Sequence, residues 1–531
     1  MVYSSIKSSL PDIAVPENTT LPAFFFSRAR QNHLAATNER PLYIDADDPS
    51  VTLTLHAAES LTNTLASGLY HTTGVRAGDV VAVVMPNSVH YLPIILAVLT
   101  LGATCTLANP AYTPRELSHQ LNDSQATVAI TTAALHPLVA EATAQLPTNI
   151  SILLADKDTE ALPGIRSIFD ILSTRKFTRP NAAAHLEPAF IPYSSGTTGL
   201  PKGVVLSHAN LIANILQIAA IHQTMDSNPT NIAVLPMFHS FGLTFLCFVM
   251  PLLGATTVVM RKFDMTRFLH LAKLHQATET MLVPPIVNAL TRLPPKTLTD
   301  SLASLRWIVV GAAPLSSDTI SALESLLPAL SILQGYGLTE TSPAVAINPP
   351  AAPNSVSAGR LLPSMEVKVI DDQGRALGPG SIGELCVRGP NVMLGYLNNP
   401  EATKETIVDG FLRTGDIGYI DEQQHVFLTD RKKELIKFNG FQVAPAELEG
   451  IVLQHPQVRD CAVKGVFDQR RQTEVPRVYL VLAEGKDPAV AQQVVEWVDA
   501  QVAYYKQLRG GYVLVDSIPR STSGKTLRRL L

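Results

Sequence analysis

The chain has 531 residues, which at about 150 residues per domain allows roughly three or four domains' worth of core. Apolar residues make up 46% and charged residues 16%, a balance that excludes an intrinsically disordered chain. The net charge is −4 and no basic block exceeds Arg431–Lys433, which leaves no electrostatic footprint for nucleic acid or an anionic membrane.

The opening segment "MVYSSIKSSLPDIAVPENTT" has no apolar h-region, so no secretory signal is expected. Farther on, strand and helix patterns alternate. "DVVAVVMP" reads as a buried strand, "SVHYLPIILAVLTLG" as a helix and "ATCTLANP" as a strand. "TPRELSHQLNDS" opens a helix, with Thr113 at the cap, Pro114 at the first helical position and Glu116 closing a capping box. The strand "ATVAITT" follows. The pattern returns in "DMTRFLHLAKLH", "TETMLVPP", "IVNALTRL", "LRWIVVGAAP", "SSDTISALESLLP" and "SILQGYG". Such alternation predicts layered α/β structure with largely parallel sheets.

Val80–Pro114 and Ser227–Met260 lack Asp, Glu, Lys and Arg, yet Pro86, Pro93, Gly102, Pro236, Pro251 and Gly254 interrupt them. A membrane span needs about 20 continuous apolar residues. Buried sheet elements fit better, and a soluble chain without an integral membrane segment is expected. The cysteines Cys105, Cys247, Cys386 and Cys461 are scattered without a C-x-x-C pair. That usage fits small buried hydrophobes in a reduced compartment, not a disulfide scaffold or zinc site.

Between Ser364 and Phe427, short strands such as "MEVKVI" and "IGELCVRG" alternate with turns, suggesting a β-rich subdomain. After "DRKKE" the texture becomes α+β. The expected architecture is therefore a large N-terminal domain, 1–429, of layered α/β subdomains plus a β-rich subdomain. A small mobile α+β domain, 430–531, follows it.

Two lysines carry candidate phosphate chemistry. "PYSSGTTGLPKGVVLSH" places Ser, Thr and Gly residues just before Lys202, and "STSGKT" places Gly524 before Lys525. Glycines let the backbone approach closely, while hydroxyls and peptide N–H groups wrap anionic oxygens. A P-loop requires G-x-x-x-x-G-K-[ST]. Lys202 follows Pro201, and the first glycine position before Lys525 is Pro519. Neither segment is a P-loop, which argues against a kinase or P-loop ATPase.

"YSSGTTGLPKG" resembles the phosphate loop of the adenylate-forming superfamily, which includes acyl- and aryl-CoA synthetases, firefly luciferase and peptide-synthetase adenylation domains. The resemblance continues in order through "PMFHSFGL", "GAAPL", "QGYGLTE", "GELCVRG", "TGDIGY", "DRKKELIK", "GFQVAPAELE" and "SGKTLRR". It spans the chain from about residue 20 to the end. "GELCVRG" and "GFQVAPAELE" look most like 4-coumarate–CoA ligases. The resemblance implies attack of a carboxylate on the α-phosphate of ATP, giving an acyl-adenylate and pyrophosphate, and then transfer to the CoA thiol with release of AMP. ATP, Mg²⁺ and CoA are the implied cofactor and co-substrates.

The same resemblance distributes the roles. Lys525 is the implied catalytic cation, reaching the acid carboxylate and the α-phosphate. Ser194, Ser195, Gly196, Thr197, Thr198, Gly199 and Lys202 match the phosphate-binding segment. In "QGYGLTE", Gln334, Gly335, Tyr336, Gly337 and Thr339 match nucleotide contacts, and Glu340 matches the magnesium ligand. Tyr336 is expected against adenine, opposite Gly311, Ala312 and Ala313. Asp416 and Arg431 match the pair that grips ribose. Lys433 matches the hinge, while Lys437 and Gln442 match residues near the adenylate. Asn439, Gly440 and Phe441 match the CoA-binding segment. His239, Ser240, Phe241, Gly311, Ala312, Gly335, Pro343 and Ala344 are implied to form the acid pocket, with His239 between acid and thiol.

Three departures bear on this assignment. Ala344 stands where coumarate ligases commonly carry valine, implying a wider pocket. Asn439 replaces a usual lysine and Thr473 a usual glycine, and both bear on CoA affinity. The implied partners are a small carboxylic acid and CoA, for an aryl, arylalkenoic or medium-chain acid. Alternatives are an adenylation enzyme loading a carrier-protein thiol, a luciferase-like oxidase and a catalytically silent binding relative. The terminal "RRLL" is not an S-K-L address, so a cytoplasmic place is expected, or a peroxisomal one if the C-terminus is trimmed.

Overall fold

A computed structural model describes residues 5–33, 40–144, 146–157, 162, 164–178, 185–194, 201–221, 229–313, 315–351, 353–431, 434–438, 441–471, 473–483, 487–502, 504–521 and 524–531. Continuous apolar strands dictate its centre. Val80–Val84 is buried along nearly its whole length and pairs in parallel with Thr104–Leu107 and Ala126–Thr131. Such a strand needs cover on both faces, which crossover helices provide. Tyr91–Thr100 is one of these helices, buried through Leu99. Pro114–Asp123 is another, and its capping box forms as the sequence predicts. The Thr113 hydroxyl accepts from the Glu116 N–H at 3.3 Å, and the Glu116 carboxylate accepts from the Thr113 N–H at 2.8 Å.

The strand order of this first sheet is Gly395–Tyr396, Lys202–Ser207, Pro188–Phe190, Thr104–Leu107, Val80–Val84, Ala126–Thr131 and Ser151–Leu154. Tyr193–Ser194 pairs with Lys202–Ser207 beside it. A second sheet has a parallel centre of Ser331–Gly337, Trp307–Val310, Glu279–Leu282, Thr230–Ala233, Thr256–Val259 and Pro41–Asp45. Ala344–Ile347 turns back antiparallel on its edge. Large side chains between the two sheets, among them Tyr43, Phe190, Phe245 and Phe248, are fully buried.

The β-rich third sheet is antiparallel and centres on Glu366–Ile370, Gly383–Arg388 and Phe411–Ile420. Its edge strand Ile6–Lys7 arrives from the far N-terminus. The C-terminal part has a separate core around Ile436, Val463, Val478, Leu480 and Val494. The long hairpin Val458–Asp468 with Thr473–Leu482, together with Tyr512–Leu514, supports it. The fold is thus α/β with a large N-terminal and a small C-terminal domain.

Polar contacts among the described residues join the small domain to the large one. The Gln454 amide donates to Asp318 at 3.1 Å, and the Arg292 guanidinium donates to the Arg459 carbonyl. All four cysteines are buried and none is in a disulfide. Among the described residues, no helix is long and apolar enough to cross a membrane.

Burial also makes the fold sensitive to acid. His208 is 1% exposed, and its Nδ1 accepts from the Leu21 N–H at 3.1 Å, which requires a neutral ring. Desolvation lowers its pKa to about 4, as it does for His90 and His239. Between about 6.5 and 4 the unfolded chain binds protons that the folded chain refuses, so stability falls as pH drops through this window and levels off below it. Thermal unfolding followed from pH 7 to 4 should show this loss. His208→Gln should remove part of the slope, and an unchanged slope would assign the loss to other groups.

Candidate active site

A cavity of about 1130 Å³ opens where the carboxyl ends of parallel strands from both sheets converge, the usual place for ligands in open α/β sheets. Asn109 and Tyr112 follow the strand Thr104–Leu107, Gly311 and Ala312 follow Trp307–Val310, and Leu338–Glu340 follow Ser331–Gly337. The small domain closes one side with Arg520, Ser521, Lys525, Leu527 and Arg529.

Ser194 and Lys202 face each other across an antiparallel pair at the mouth of the phosphate-type segment. Ser195, Gly196, Thr197, Thr198 and Gly199 lie outside the described residues. The two ends of the segment are anchored to one helix. The Tyr193 hydroxyl donates to Asp123 at 2.6 Å, and His119 Nε2 lies 3.3 Å from the Pro201 carbonyl oxygen.

Thr339 and Glu340 occupy a single 3-10 turn, Thr339–Thr341. Buried amides hold that turn and the following bend. Asn391 donates to the Thr341 and Ala344 carbonyls at 2.7 and 2.8 Å, and Asn214 both donates to Ala344 and accepts from it. The Thr244 hydroxyl donates to the Ser342 carbonyl at 2.9 Å. The sequence reading missed these side chains. The available signal was the two amides, Asn214 and Gln217, inside the apolar run "LIANILQIAA", because a buried amide must find partners.

Tyr396 was also missed. Its hydroxyl donates to Glu340 Oε1 at 2.9 Å, and the Lys202 ammonium sits 4.8 Å from its ring centroid. Burial, then the Glu340 charge, raises its pKa, so the phenol remains a donor.

Tyr336 lines the cavity and its hydroxyl donates to Asp416 at 2.8 Å. Asp416 lies behind the wall, only 5% exposed, with Arg431 opposite it in the strand register. Gln334 does not line the cavity. Its side chain accepts from the Leu315 N–H at 3.0 Å and donates to the Ser355 carbonyl at 2.7 Å, tying two loops together. Gly335 and Gly337 line the cavity, whereas Ala313 does not.

The expected acid-pocket residues converge. His239, Ser240, Phe241, Gly311, Ala312, Gly335, Pro343 and Ala344 all line the cavity, joined by the unanticipated Phe245, Val309 and Ile347. Phe241 and Phe245 meet edge to face at 5.0 Å. His239 caps a short helix, its Nδ1 accepting from the Phe241 N–H at 3.3 Å. Desolvation holds its pKa at about 4, so a neutral imidazole faces the pocket.

Lys525 lines the cavity from the tip of a tight turn. The Ser521 N–H donates to the Lys525 carbonyl at 2.8 Å, and the Lys525 N–H to the Ser521 hydroxyl at 3.1 Å. Gly524, at φ +82°, supplies the left-handed bend, and a β-carbon there would stand 3.2 Å from Val283 of the large domain. Lys437 is exposed and does not line the cavity. It lies opposite Gln442 on the hairpin Ile436–Phe438 and Phe441–Val443. The Thr473 hydroxyl donates to its carbonyl at 2.7 Å. Lys433, Asn439 and Gly440 lie outside the described residues.

Comparison with known proteins identifies the family. The profile of AMP-binding enzymes matches residues 30–397, and that of the AMP-binding enzyme C-terminal domain matches 447–525. The chain belongs to the AMP-binding enzymes. It is 37% identical to a probable 4-coumarate–CoA ligase 3 of Dictyostelium discoideum, over 99% of this chain and 96% of that one. Among solved structures it is similar to ATP-bound MatB from Rhodopseudomonas palustris, with 28% identity, TM-score 0.84 and coverage of 96% and 98%. It is also similar to the o-succinylbenzoate CoA synthetase of Bacillus subtilis in complex with its acyl-adenylate intermediate, with 26% identity, TM-score 0.78 and coverage of 95% and 97%.

The residues present also fit a nucleotide-borne metal. Among the described residues no group of three His, Cys, Asp or Glu side chains forms a dedicated metal cage. Magnesium bound to a nucleotide needs only one or two protein carboxylates, because phosphates and water complete its shell. Glu340, in the same cavity as Lys202 and Thr339, meets that requirement.

Proposed function

We propose that this AMP-binding enzyme is an ATP-dependent carboxylic acid–CoA ligase that works through an acyl-adenylate. The observation that carries the reading is the convergence of Lys202, Thr339 and Glu340 from the large domain with Lys525 from the small one in a single cavity. A carboxylate and a triphosphate repel, by roughly 4 kcal/mol for unit charges 4 Å apart at an effective dielectric of 20. Cations supplied from two sides offset that repulsion and hold the reactants in line.

In this reading Lys202 and the segment 194–199 take the β- and γ-phosphates, and Thr339 takes the α-phosphate. Glu340 would hold magnesium, which neutralises phosphate charge when bound. Tyr336 is assigned to adenine, and Asp416 with Arg431 to the ribose, although in this structure Asp416 is hydrogen-bonded to the Tyr336 hydroxyl and does not line the cavity. Lys525 bridges the acid carboxylate and the α-phosphate. The aromatic wall of Phe241 and Phe245 and the small Ala344 favour an aryl, arylalkenoic or medium-chain acid.

The thioester step calls for a different pose. Lys437 stands outside the cavity while Lys525 stands inside it. We place the domain boundary near residue 430 and the hinge at Lys433, so that rotation withdraws Lys525 and presents the hairpin carrying Lys437, Asn439, Gly440, Phe441 and Gln442 for CoA.

Mass spectrometry of the purified protein with ATP, Mg²⁺ and a pooled panel of acids, with and without CoA, tests the reading. Acyl-CoA and AMP are expected only when CoA is present. An acyl-adenylate that never yields a CoA thioester would overturn the CoA assignment and direct attention to a carrier-protein thiol.

A further inference from the structure

The pair of opposite charges at the phosphate end of the cavity is built around a residue outside every motif used above. Lys202 and Glu340 both border Tyr396, yet among the described residues no ion pair joins them. A direct Lys202–Glu340 bridge would cancel the charges that a metal–nucleotide complex needs. Tyr396 stands between them instead, its ring under the ammonium and its hydroxyl on the carboxylate.

We propose that Tyr396 is a positioning residue that keeps Lys202 and Glu340 apart and orients the Glu340 carboxylate for the nucleotide's metal, a role that rests on the function proposed above. Its own placement is fixed by the backbone. Tyr396 pairs with Val204 on the strand that begins at Lys202, and its N–H donates to the Thr403 hydroxyl at 2.9 Å. Three residues earlier in the same segment, the Met393 N–H donates to the Glu340 carbonyl at 2.9 Å. The segment from Met393 to Tyr396 therefore holds both the backbone and the carboxylate of Glu340. With Oε1 occupied by the phenol, the carboxylate is aimed while its charge is retained. The ring attracts the ammonium without neutralising it.

Calorimetric titration of ATP, with and without Mg²⁺, into wild type, Tyr396→Phe, Tyr396→Ala and Glu340→Gln tests the proposal. Tyr396→Phe keeps the ring and loses only the hydroxyl. It should raise the Mg²⁺ concentration needed for tight ATP binding by about 10–100-fold. Its metal-free ATP affinity should stay within about threefold of wild type, because the cation–ring contact survives. Tyr396→Ala should weaken both. If Tyr396→Ala does not fold, the Phe variant decides alone. A Phe variant with wild-type Mg²⁺ dependence overturns the proposal, as does one whose ATP affinity falls equally with and without metal. Failure of the underlying nucleotide reading looks different: wild type and Glu340→Gln would then bind ATP alike, with no Mg²⁺ effect in either.

Discussion

Lys525→Ala is expected to slow acyl-adenylate formation by about 10²–10³-fold, the cost of removing one group that stabilises transition-state charge in a water-poor site. The fold should survive. The turn that carries Lys525 is held by backbone and Ser521 contacts and by the left-handed Gly524. The neighbouring Arg528 anchors the tail through Glu449 at 2.7 Å and through Glu434. Lys525→Arg should restore only part of the rate, since a planar fork does not reproduce a compact ammonium shared between two anions. The check is pre-steady-state formation of acyl-AMP, set beside conversion of supplied acyl-AMP and CoA to the thioester. The second half-reaction should stay within about tenfold of wild type, because its reacting carbonyl is already activated. Equal losses in both halves would remove Lys525 from a role specific to adenylation.

Much of the architecture was legible because local chemistry announced it. The continuous apolar strand at Val80–Val84 required a two-sided parallel sheet, and Thr113, Pro114 and Glu116 marked a helix start that forms as read. The glycine- and hydroxyl-rich segments of the site were visible for the same reason, since close backbone approach needs particular residues in sequence. Long-range pairing was not visible. Ile6–Lys7 joins Glu366–Ile370 with no local hint of its partner, and Asn391 reaches the Thr341 carbonyl from a distant segment. Tyr396 lies outside every motif of the site, and only topology sets it beside Glu340. Gln334 shows the reverse case. Its place in a nucleotide motif suggested a ligand contact, but strand geometry spends its amide on Leu315 and Ser355. A motif reports which residues neighbour a site, and side-chain direction decides which of them enter it.

That distinction makes Gly337 the most demanding position in the nucleotide segment. The strand Ser331–Gly337 slips register against Ala344–Ile347 between Tyr336 and Gly337, which brings two stretches of backbone unusually close. A β-carbon at Gly337 would stand 2.7 Å from the Pro343 carbonyl carbon and 2.9 Å from Ala344 Cα, and closer still to the Pro343 oxygen. These are backbone atoms that cannot rotate away, and buried Asn391 and Asn214 pin Ala344 from behind. Space, not dihedral freedom, is what only glycine supplies here. Gly337→Ala should therefore cost about 1–3 kcal/mol of stability through overpacking. The effect on function should be larger than that figure suggests. Relief of the clash must move either the Pro343–Ala344 wall of the pocket or the turn bearing Thr339 and Glu340, and a shift of about 1 Å can cost roughly 10²-fold in rate. Adenylation kinetics measured below the unfolding transition separate the two effects. A drop of about that size in kcat/KM for ATP is expected in protein that remains folded, while a variant with a lowered melting point and wild-type kinetics would mean that the clash relaxes away from the site.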